Sequence, residues 1–160
     1  DPPPRRLDAA LTRAPRRALR SVPSVGKAAP DTVQVSAGIL VRDGRVLACQ
    51  RRADQSHAGR WEFPGGKREA GESAAECLRR ELREELGLDV EIGAELWRIE
   101  HVYPGRAAVA LTFFRVDRFA GELRNRVFAD LRWLAPAELG ALDFLEADRG
   151  LLARLPRLLA

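Results

Sequence analysis

Three glutamates are the residues of this 160-residue chain whose type and spacing best suit chemistry. Glu81, Glu84 and Glu85 stand at positions i, i+3 and i+4, where side chains of a helix are neighbours with Cβ atoms about 5–6 Å apart. Carboxylate oxygens in such a patch suit Mg²⁺, which binds a few carboxylates together with waters and substrate phosphates. The alternative from the helix alone is a solvated charged face, in which Arg80 and Arg83 pair with the glutamates.

A single helix must carry these carboxylates, and its two ends are marked in the sequence. Ser73 is a good N-cap residue, and Glu76 three positions later completes a capping box. Residues 74–86 contain helix formers and neither Pro nor Gly, and Gly87 supplies the stop. The apolar residues recur at helical spacing and are expected to face a core: Ala75, Leu78, Leu82 and Leu86. The segment Pro64-Gly65-Gly66 before the helix predicts a turn whose backbone can approach a ligand closely.

The spacing around this helix resembles a known family. Gly66, five residues, Glu72, seven residues and then Arg80-Glu81-Leu82-x-Glu84-Glu85-x-Gly87-Leu88 match every defined position of the 23-residue box of the Nudix hydrolases. The resemblance implies hydrolysis of a phosphoanhydride bond with bound Mg²⁺, or Mn²⁺ as an alternative. In such a site the metal lowers the pKa of the attacking water and polarises the phosphoryl oxygen.

The same resemblance implies a role for each residue of the box. The metal ligands are expected to be Glu81, Glu84, Glu85 and the carbonyl of Gly65. Arg80 would orient the glutamates, while Glu72 and Gly66 would hold the loop and helix together. A Nudix fold that has kept the box but lost catalysis is the alternative.

Further segments are similar to the MutT-type branch, which comprises 8-oxo-dGTP diphosphatases and related nucleoside triphosphate pyrophosphohydrolases. They are Gln50-Arg51-Arg52-Ala53 with His57, Trp61 to Lys67, His101 to Arg106, and Asp143 to Asp148. This similarity implies a substrate site made by Val35, Arg52, Phe63, Arg106 and Asp148. Arg52 would bind phosphate, unless it is a solvated arginine at a strand end, and His57 is expected to be a polar loop residue. Asp148 would read the base edge, cap the last helix, or do both.

One position departs from the branch. MutT-type enzymes often carry a further Glu on the loop before the strand that contains Trp133, as a metal ligand or as the base. Val127 aligns there, and Asp130 is offset by three residues. The identity of the general base is therefore open between Glu81 and Glu84.

Composition and charge narrow the remaining possibilities. No apolar run reaches the roughly 18 residues of a membrane span, and no His/Cys cluster has zinc spacing. Cys49 and Cys77 lie in apolar contexts and predict buried free thiols in a reducing, cytoplasmic compartment. Residues 1–30 hold seven basic and two acidic side chains, against 20 and 21 in the rest. The basic balance therefore belongs to the N-terminal arm.

The organisation predicted is a flexible Pro- and Arg-rich extension over residues 1–31 and one Nudix domain over residues 32–160. The arm has no strand pattern, and it would bind nucleic acid or anionic lipid, act as a transit-like segment, or be dispensable. Nucleic acid is expected as a partner only through this arm. Nothing in the sequence indicates an oligomeric state.

The fold class predicted is mixed α/β (α+β), with a mixed sheet between helices. Asp43-Gly44 signals a hairpin between strands over residues 33–41 and 46–51. Further strands are expected over residues 90–103, interrupted near Gly93, and over residues 107–119 and 131–134. Helices are expected from Pro136 to Leu142 and from Asp148 to Leu159.

The expected function is Mg²⁺-dependent hydrolysis of a nucleoside triphosphate to the monophosphate and pyrophosphate. Oxidised nucleotides such as 8-oxo-dGTP are the favoured substrates, which implies sanitation of the nucleotide pool and a role in DNA repair. A CTP or methylated dCTP pyrophosphohydrolase is the alternative within the enzyme class. A catalytically weak Nudix module that binds nucleotides is the alternative from another class.

Overall fold

The computed structural model describes residues 20–21, 32–102 and 107–160. The strands are β1 Arg20–Ser21, β2 Val33–Arg42, β3 Arg45–Gln50, β4 Trp61–Glu62, β5 Gly65–Lys67, β6 Asp89–Glu91, β7 Glu95–His101, β8 Val109–Val116, β9 Arg118–Ala120 and β10 Asp130–Leu134. The main sheet has the strand order β1-β7-β8-β2-β3-β10, with β4 paired to β3 and β5 paired to β2. A second sheet pairs β6 with β9.

The sheet is mixed because β2 runs parallel to β8 and antiparallel to β3 and β5. The helices are α1 Ala74–Leu86, α2 Glu146–Leu152 and α3 Leu155–Leu158, and a 3₁₀ helix spans Pro136–Ala141. Among the described residues, no helix is both long and apolar enough to cross a bilayer.

Two hydrophobic clusters lie on opposite faces of the sheet. Successive residues of a strand point to opposite faces, and Ile39 and Leu40 of β2 accordingly belong to different clusters. One cluster contains Leu78, Leu82 and Leu86 of α1, and the other contains residues of the C-terminal helices. Both faces of the central strands are therefore covered, as the prediction of a mixed sheet between helices required.

Several local predictions are confirmed. The hairpin joins β2 to β3 with Val41 opposite Val46. Asp43 and Gly44 both have positive φ, 51° and 72°, as a type I′ turn requires. The strand expected over residues 90–103 is interrupted at Gly93, since β6 and β7 flank it. Cys49 and Cys77 are buried and are not joined in a disulfide.

Other predictions were wrong in detail. Residues 107–119 form two strands, because Val109–Val116 joins the main sheet and Arg118–Ala120 turns away to pair with β6. The segment Pro136–Ala141 is a 3₁₀ helix. The last helix begins at Glu146 and is followed by a separate short helix from Leu155.

The N-terminal arm contributes a strand that its sequence does not signal. Arg20–Ser21 pairs antiparallel with β7, opposite Glu100 and Ile99. The edge strand of a sheet can pair with any backbone segment whose N–H and C=O groups are available. Such pairing therefore needs no side-chain pattern that could be recognised in the sequence. The expectation of an arm without strand is wrong at these two residues, and the rest of the arm lies outside the described residues.

Candidate active site

Helix α1 is held in place at both ends by the residues that the sequence marks. The Ser73 side chain accepts a hydrogen bond from the backbone N–H of Glu76, 3.1 Å away. Gly87 adopts a left-handed conformation with φ 70° and donates its N–H to the carbonyl of Arg83. The buried face of the helix includes Leu78, Leu82 and two of the three site glutamates, Glu81 and Glu85.

The two glycines before the helix lie in a strand, which corrects the predicted turn. Gly65–Lys67 forms β5 and pairs with residues 35–37 of β2. A Cβ on Gly65 would lie 2.0 Å from the backbone oxygen of Ser36, and a Cβ on Gly66 would lie 2.3 Å from Cδ of Glu81. Close approach of β2 and α1, rather than a sharp bend, therefore requires glycine here.

Glu81 is fully buried against this strand. Its Oε1 accepts a hydrogen bond from Arg80 at 2.8 Å, whereas its buried Oε2 has no hydrogen-bond partner. Burial raises the pKa of Glu81 to about 7, and the Arg80 guanidinium opposes that rise. A buried carboxylate oxygen without a partner costs about 1–3 kcal/mol or more, so this oxygen is a candidate ligand atom.

The other two glutamates differ in accessibility. Glu85 is 1% exposed, and its Oε1 accepts the backbone N–H of Gly65 at 2.9 Å. The Glu84 side chain is 44% exposed, with Oε2 3.5 Å from Nη1 of Arg80. The structure therefore joins Glu85 to the glycine strand and leaves Glu84 open to water.

Arg80 is the counterion of the acidic cluster. Its guanidinium donates to Glu72, Glu81 and Glu84 and to the backbone carbonyl of Lys67. Glu72 in turn accepts the backbone N–H of Glu69 at 2.9 Å, and its hydrogen bond with Arg80 holds the Glu72 pKa below its usual range. Arg80 thus ties the loop after β5 to the helix.

The oxygen-rich donor set fits a divalent cation. Glu81 Oε2 is buried and unpartnered, and the neighbouring Glu85 carboxylate is fixed at Gly65. Hard cations such as Mg²⁺ prefer oxygen ligands of this kind. Among the described residues, no group of three or more His, Cys, Asp and Glu side chains is arranged to hold a metal ion. Arg80 pairs with two of the candidate ligands, so metal binding would require this ion-pair network to rearrange.

A second buried polar group lies around Asp148. This residue is in the first turn of α2, whose N-cap is Leu145, so the predicted capping role is wrong. Asp148 is 2% exposed and accepts a hydrogen bond from the backbone N–H of Phe63, while its Oδ2 has no hydrogen-bond partner. The chain reaches this position because residues 143–145 run beside Trp61, whose N–H donates to the carbonyl of Asp143.

Arg51 and Glu62 belong to this group, although no role for either residue was predicted from the sequence. Both are almost fully buried, and Nη1 of Arg51 donates to Oε2 of Glu62 at 2.9 Å. Arg51 also donates to the carbonyl and hydroxyl of Ser56 and so closes the loop after β3. The available signal was a charged residue close to apolar residues: Cys49 lies two positions before Arg51, and Trp61 and Phe63 flank Glu62.

The remaining predicted substrate residues differ in their surroundings. Arg52 is exposed and makes a two-point ion pair with Asp54. Phe63 is fully buried and packs on Phe113 and Phe144.

The other assignments are tested less directly. Val35 is also buried in the core, so nucleotide contacts of Val35 and Phe63 stay predictions. Arg106 lies outside the described residues. His57 has a positive φ of 53° in the loop after β3.

The loop before β10 turns its apolar residues inward. Val127 and Phe128 are buried in the cluster that contains Leu82 and Leu86 of α1. Asn125 accepts the backbone N–H groups of both at 3.3 and 2.8 Å. The backbone N–H of Arg126 donates to the carbonyl of Glu85 at 3.2 Å. The loop is therefore fixed beside α1, and Val127 offers no ligand.

Comparison with known proteins agrees with this geometry. The family model described as NUDIX domain matches residues 32–155. The chain belongs to the Nudix family.

A Mycobacterium tuberculosis protein provisionally named 8-oxo-dGTP diphosphatase 2 is 43% identical over 125 residues, covering 78% of this chain and 89% of the relative. The CTP pyrophosphohydrolase of Escherichia coli K12 is 38% identical over 120 residues, covering 75% of this chain and 88% of the relative. The E. coli ORF135 protein, known from a solution structure, is 37% identical in sequence to this chain. The two structures superpose with a TM-score of 0.73, covering 81% of this chain and 91% of that protein.

Proposed function

We propose that this Nudix hydrolase converts nucleoside triphosphates to monophosphates and pyrophosphate, with Mg²⁺ held by Glu81, Glu84, Glu85 and the Gly65 carbonyl. The observation that carries the proposal is the buried, unpartnered Oε2 of Glu81. It lies beside β5, where neither Gly65 nor Gly66 has room for a side chain. The bound cation would neutralise phosphate charge and acidify the attacking water.

The residues of the chain have separate tasks in this reaction. Glu81 and Glu85 are closed off from solvent and act as buried ligands. The Glu84 side chain is exposed and is the carboxylate that a water molecule can reach, so it is the candidate to accept the proton. Arg80 positions Glu81 and Glu84, and Arg52, once it leaves Asp54, binds a phosphate.

The favoured substrates are oxidised purine nucleotides such as 8-oxo-dGTP. Support comes from the relative with the highest identity among those described above, whose name assigns it this substrate. Asp148 supplies the base contact, because its Oδ2 is buried and lacks a hydrogen-bond partner. The expected role is sanitation of the nucleotide pool.

CTP or a methylated dCTP is the second candidate substrate. The relative named CTP pyrophosphohydrolase is 38% identical to this chain. A carboxyl group can pair with the amino group and ring nitrogen of cytosine as readily as with guanine, so Asp148 alone does not separate the two.

The test is pyrophosphate release from a panel of 8-oxo-dGTP, dGTP, CTP, 5-methyl-dCTP and dTTP with Mg²⁺. Glu85→Gln keeps the shape of the ligand but removes its charge, and we expect kcat to fall by about 10²-fold or more. Glu76→Gln, on the exposed side of the same helix, is the matched control and should keep its rate. Equal rates for both variants would refute the role of Glu85. Binding without turnover across the panel would instead support the nucleotide-binding module.

A further inference from the structure

Outside the acidic cluster of α1, three charged side chains are buried together. Arg51, Glu62 and Asp148 are 1%, 2% and 2% exposed. Arg51 and Glu62 form a hydrogen-bonded ion pair at 2.9 Å. This group thus holds two carboxyl groups and one guanidinium, and Asp148 lies outside the ion pair.

The hydrogen bonding of Asp148 shows which carboxyl lacks compensation. The side chain accepts one backbone N–H, from Phe63, and its Oδ2 has no partner although it is shielded from water. An ionised carboxylate in such surroundings costs so much solvation free energy that the group takes up a proton instead. A protonated Oδ2 would be a buried O–H donor that lacks an acceptor.

The surroundings of Asp148 shift its pKa in both directions, and the effects that raise it are the larger. Burial raises the pKa of Asp148 well above its usual value, and the negative charge of Glu62 on β4 raises it further. The Phe63 N–H and the positive charge of Arg51, at the end of β3, oppose that rise. Because Arg51 is paired with Glu62, the positive charge of Arg51 acts on Asp148 together with the negative charge of Glu62, and the effect of Glu62 is the larger.

We propose that Asp148 meets the nucleobase as a neutral carboxylic acid that donates a hydrogen bond from Oδ2, and that the Arg51–Glu62 ion pair keeps it neutral. The inference rests on the proposed function and specifies the chemistry of its base contact. A neutral acid presents one donor and one acceptor, whereas an ionised one presents acceptors alone. The ligand is therefore a base that offers a ring nitrogen or carbonyl acceptor, such as O6 of guanine or N3 of cytosine.

Asparagine imitates the neutral acid, because its amide has a donor and an acceptor in the same positions. We expect Asp148→Asn to keep the KM of the preferred nucleotide at every pH, and Asp148→Ala to raise it. In the native protein the KM should rise as pH passes upward through the raised pKa of Asp148. Glu62→Gln removes a negative charge, so the rise should begin at lower pH. A KM for Asp148→Asn that equals that of Asp148→Ala would overturn the proposal.

A second measurement does not depend on activity. Because the folded protein holds the Asp148 proton more tightly than the unfolded chain, stability is lost as pH rises from the unfolded pKa, about 3.9, to the folded one. The unfolding equilibrium constant of the native protein should therefore rise relative to that of Asp148→Asn, by up to about tenfold per pH unit in that window. The control is Asp143→Asn, an exposed carboxyl five residues away, whose stability difference from the native protein should not follow this trend.

The two measurements separate this inference from the proposed function. A difference between Asp148→Asn and the native protein that stays constant from about pH 5 to pH 9 would show that Asp148 is ionised throughout, and would overturn the inference. If the stability difference grows with pH but no nucleotide is hydrolysed, the neutral Asp148 stands and the proposed reaction fails.

Discussion

Replacing Gly66 by alanine would place a methyl carbon 2.3 Å from Cδ of Glu81 and 2.5 and 2.6 Å from its two carboxylate oxygens. Ordinary contacts begin at 3.4 Å, so the carboxyl group must retreat by about 1 Å, and a misplacement of that size costs about 10²-fold in rate. Glu81 is fully buried, and the strand that carries Gly66 is paired with β2, so neither partner yields easily. The overpacking should also destabilise the fold by about 1–3 kcal/mol.

The assay is kcat and KM for the preferred nucleotide at saturating Mg²⁺, together with the free energy of unfolding in denaturant. Gly150→Ala is the matched control, because Gly150 lies in α2 with open space around its Cα. This control should keep its rate and gain about 0.5–1 kcal/mol of stability from higher helix propensity. If Gly66→Ala keeps the native kcat while it folds normally, the contact between β5 and Glu81 does not position the carboxylate and the reasoning is wrong.

Three further predictions concern stability. Ser73→Ala removes the cap of α1 and should cost about 1 kcal/mol in the free energy of unfolding, whereas Ser73→Asp should restore it; equal stability of all three would contradict the capping role. Phe63→Ala leaves a cavity against Phe113 and Phe144 and should cost about 3–5 kcal/mol, measured by thermal melting; a cost below about 1 kcal/mol would mean that the site is not packed as described. Burial raises the pKa of Glu81 to about 7, so the folded protein holds this proton more tightly than the unfolded chain does. With a chelator present to remove metal ions, the native protein should therefore lose stability as pH rises from about 4.3 to 7. Glu81→Gln should not show this loss, and the difference should approach on the order of 3 kcal/mol in denaturant titrations; parallel pH curves would refute it.

The most local features could be read from the sequence because neighbouring residues alone determine them. The spacing of Leu78, Leu82 and Leu86 predicted the buried face of α1, and Ser73 and Gly87 predicted its ends. Asp43-Gly44 predicted the hairpin because few other residues adopt positive φ at both turn positions. The spacing of the box around Glu81 was also sufficient to indicate the family.

Features that depend on distant segments were missed or misassigned. Gly65 and Gly66 look like a turn in the sequence, and only the approach of β2 and α1 shows that they form a strand. The buried pairing of Arg51 with Glu62 joins Glu62 of β4 to a residue eleven positions earlier, directly after β3.

Taken alone, the sequence determined one capped helix with three neighbouring site carboxylates, Glu81, Glu84 and Glu85, since periodicity and capping act within a few residues. The tertiary structure decided how each carboxyl differs: Glu81 and Glu85 are buried, Glu84 meets water, and Asp148 is enclosed beside Phe63. The burial of a carboxyl group and the charges around it depend on segments that are far apart in the chain. The same residue type therefore acquires different chemistry only when the fold brings those segments together.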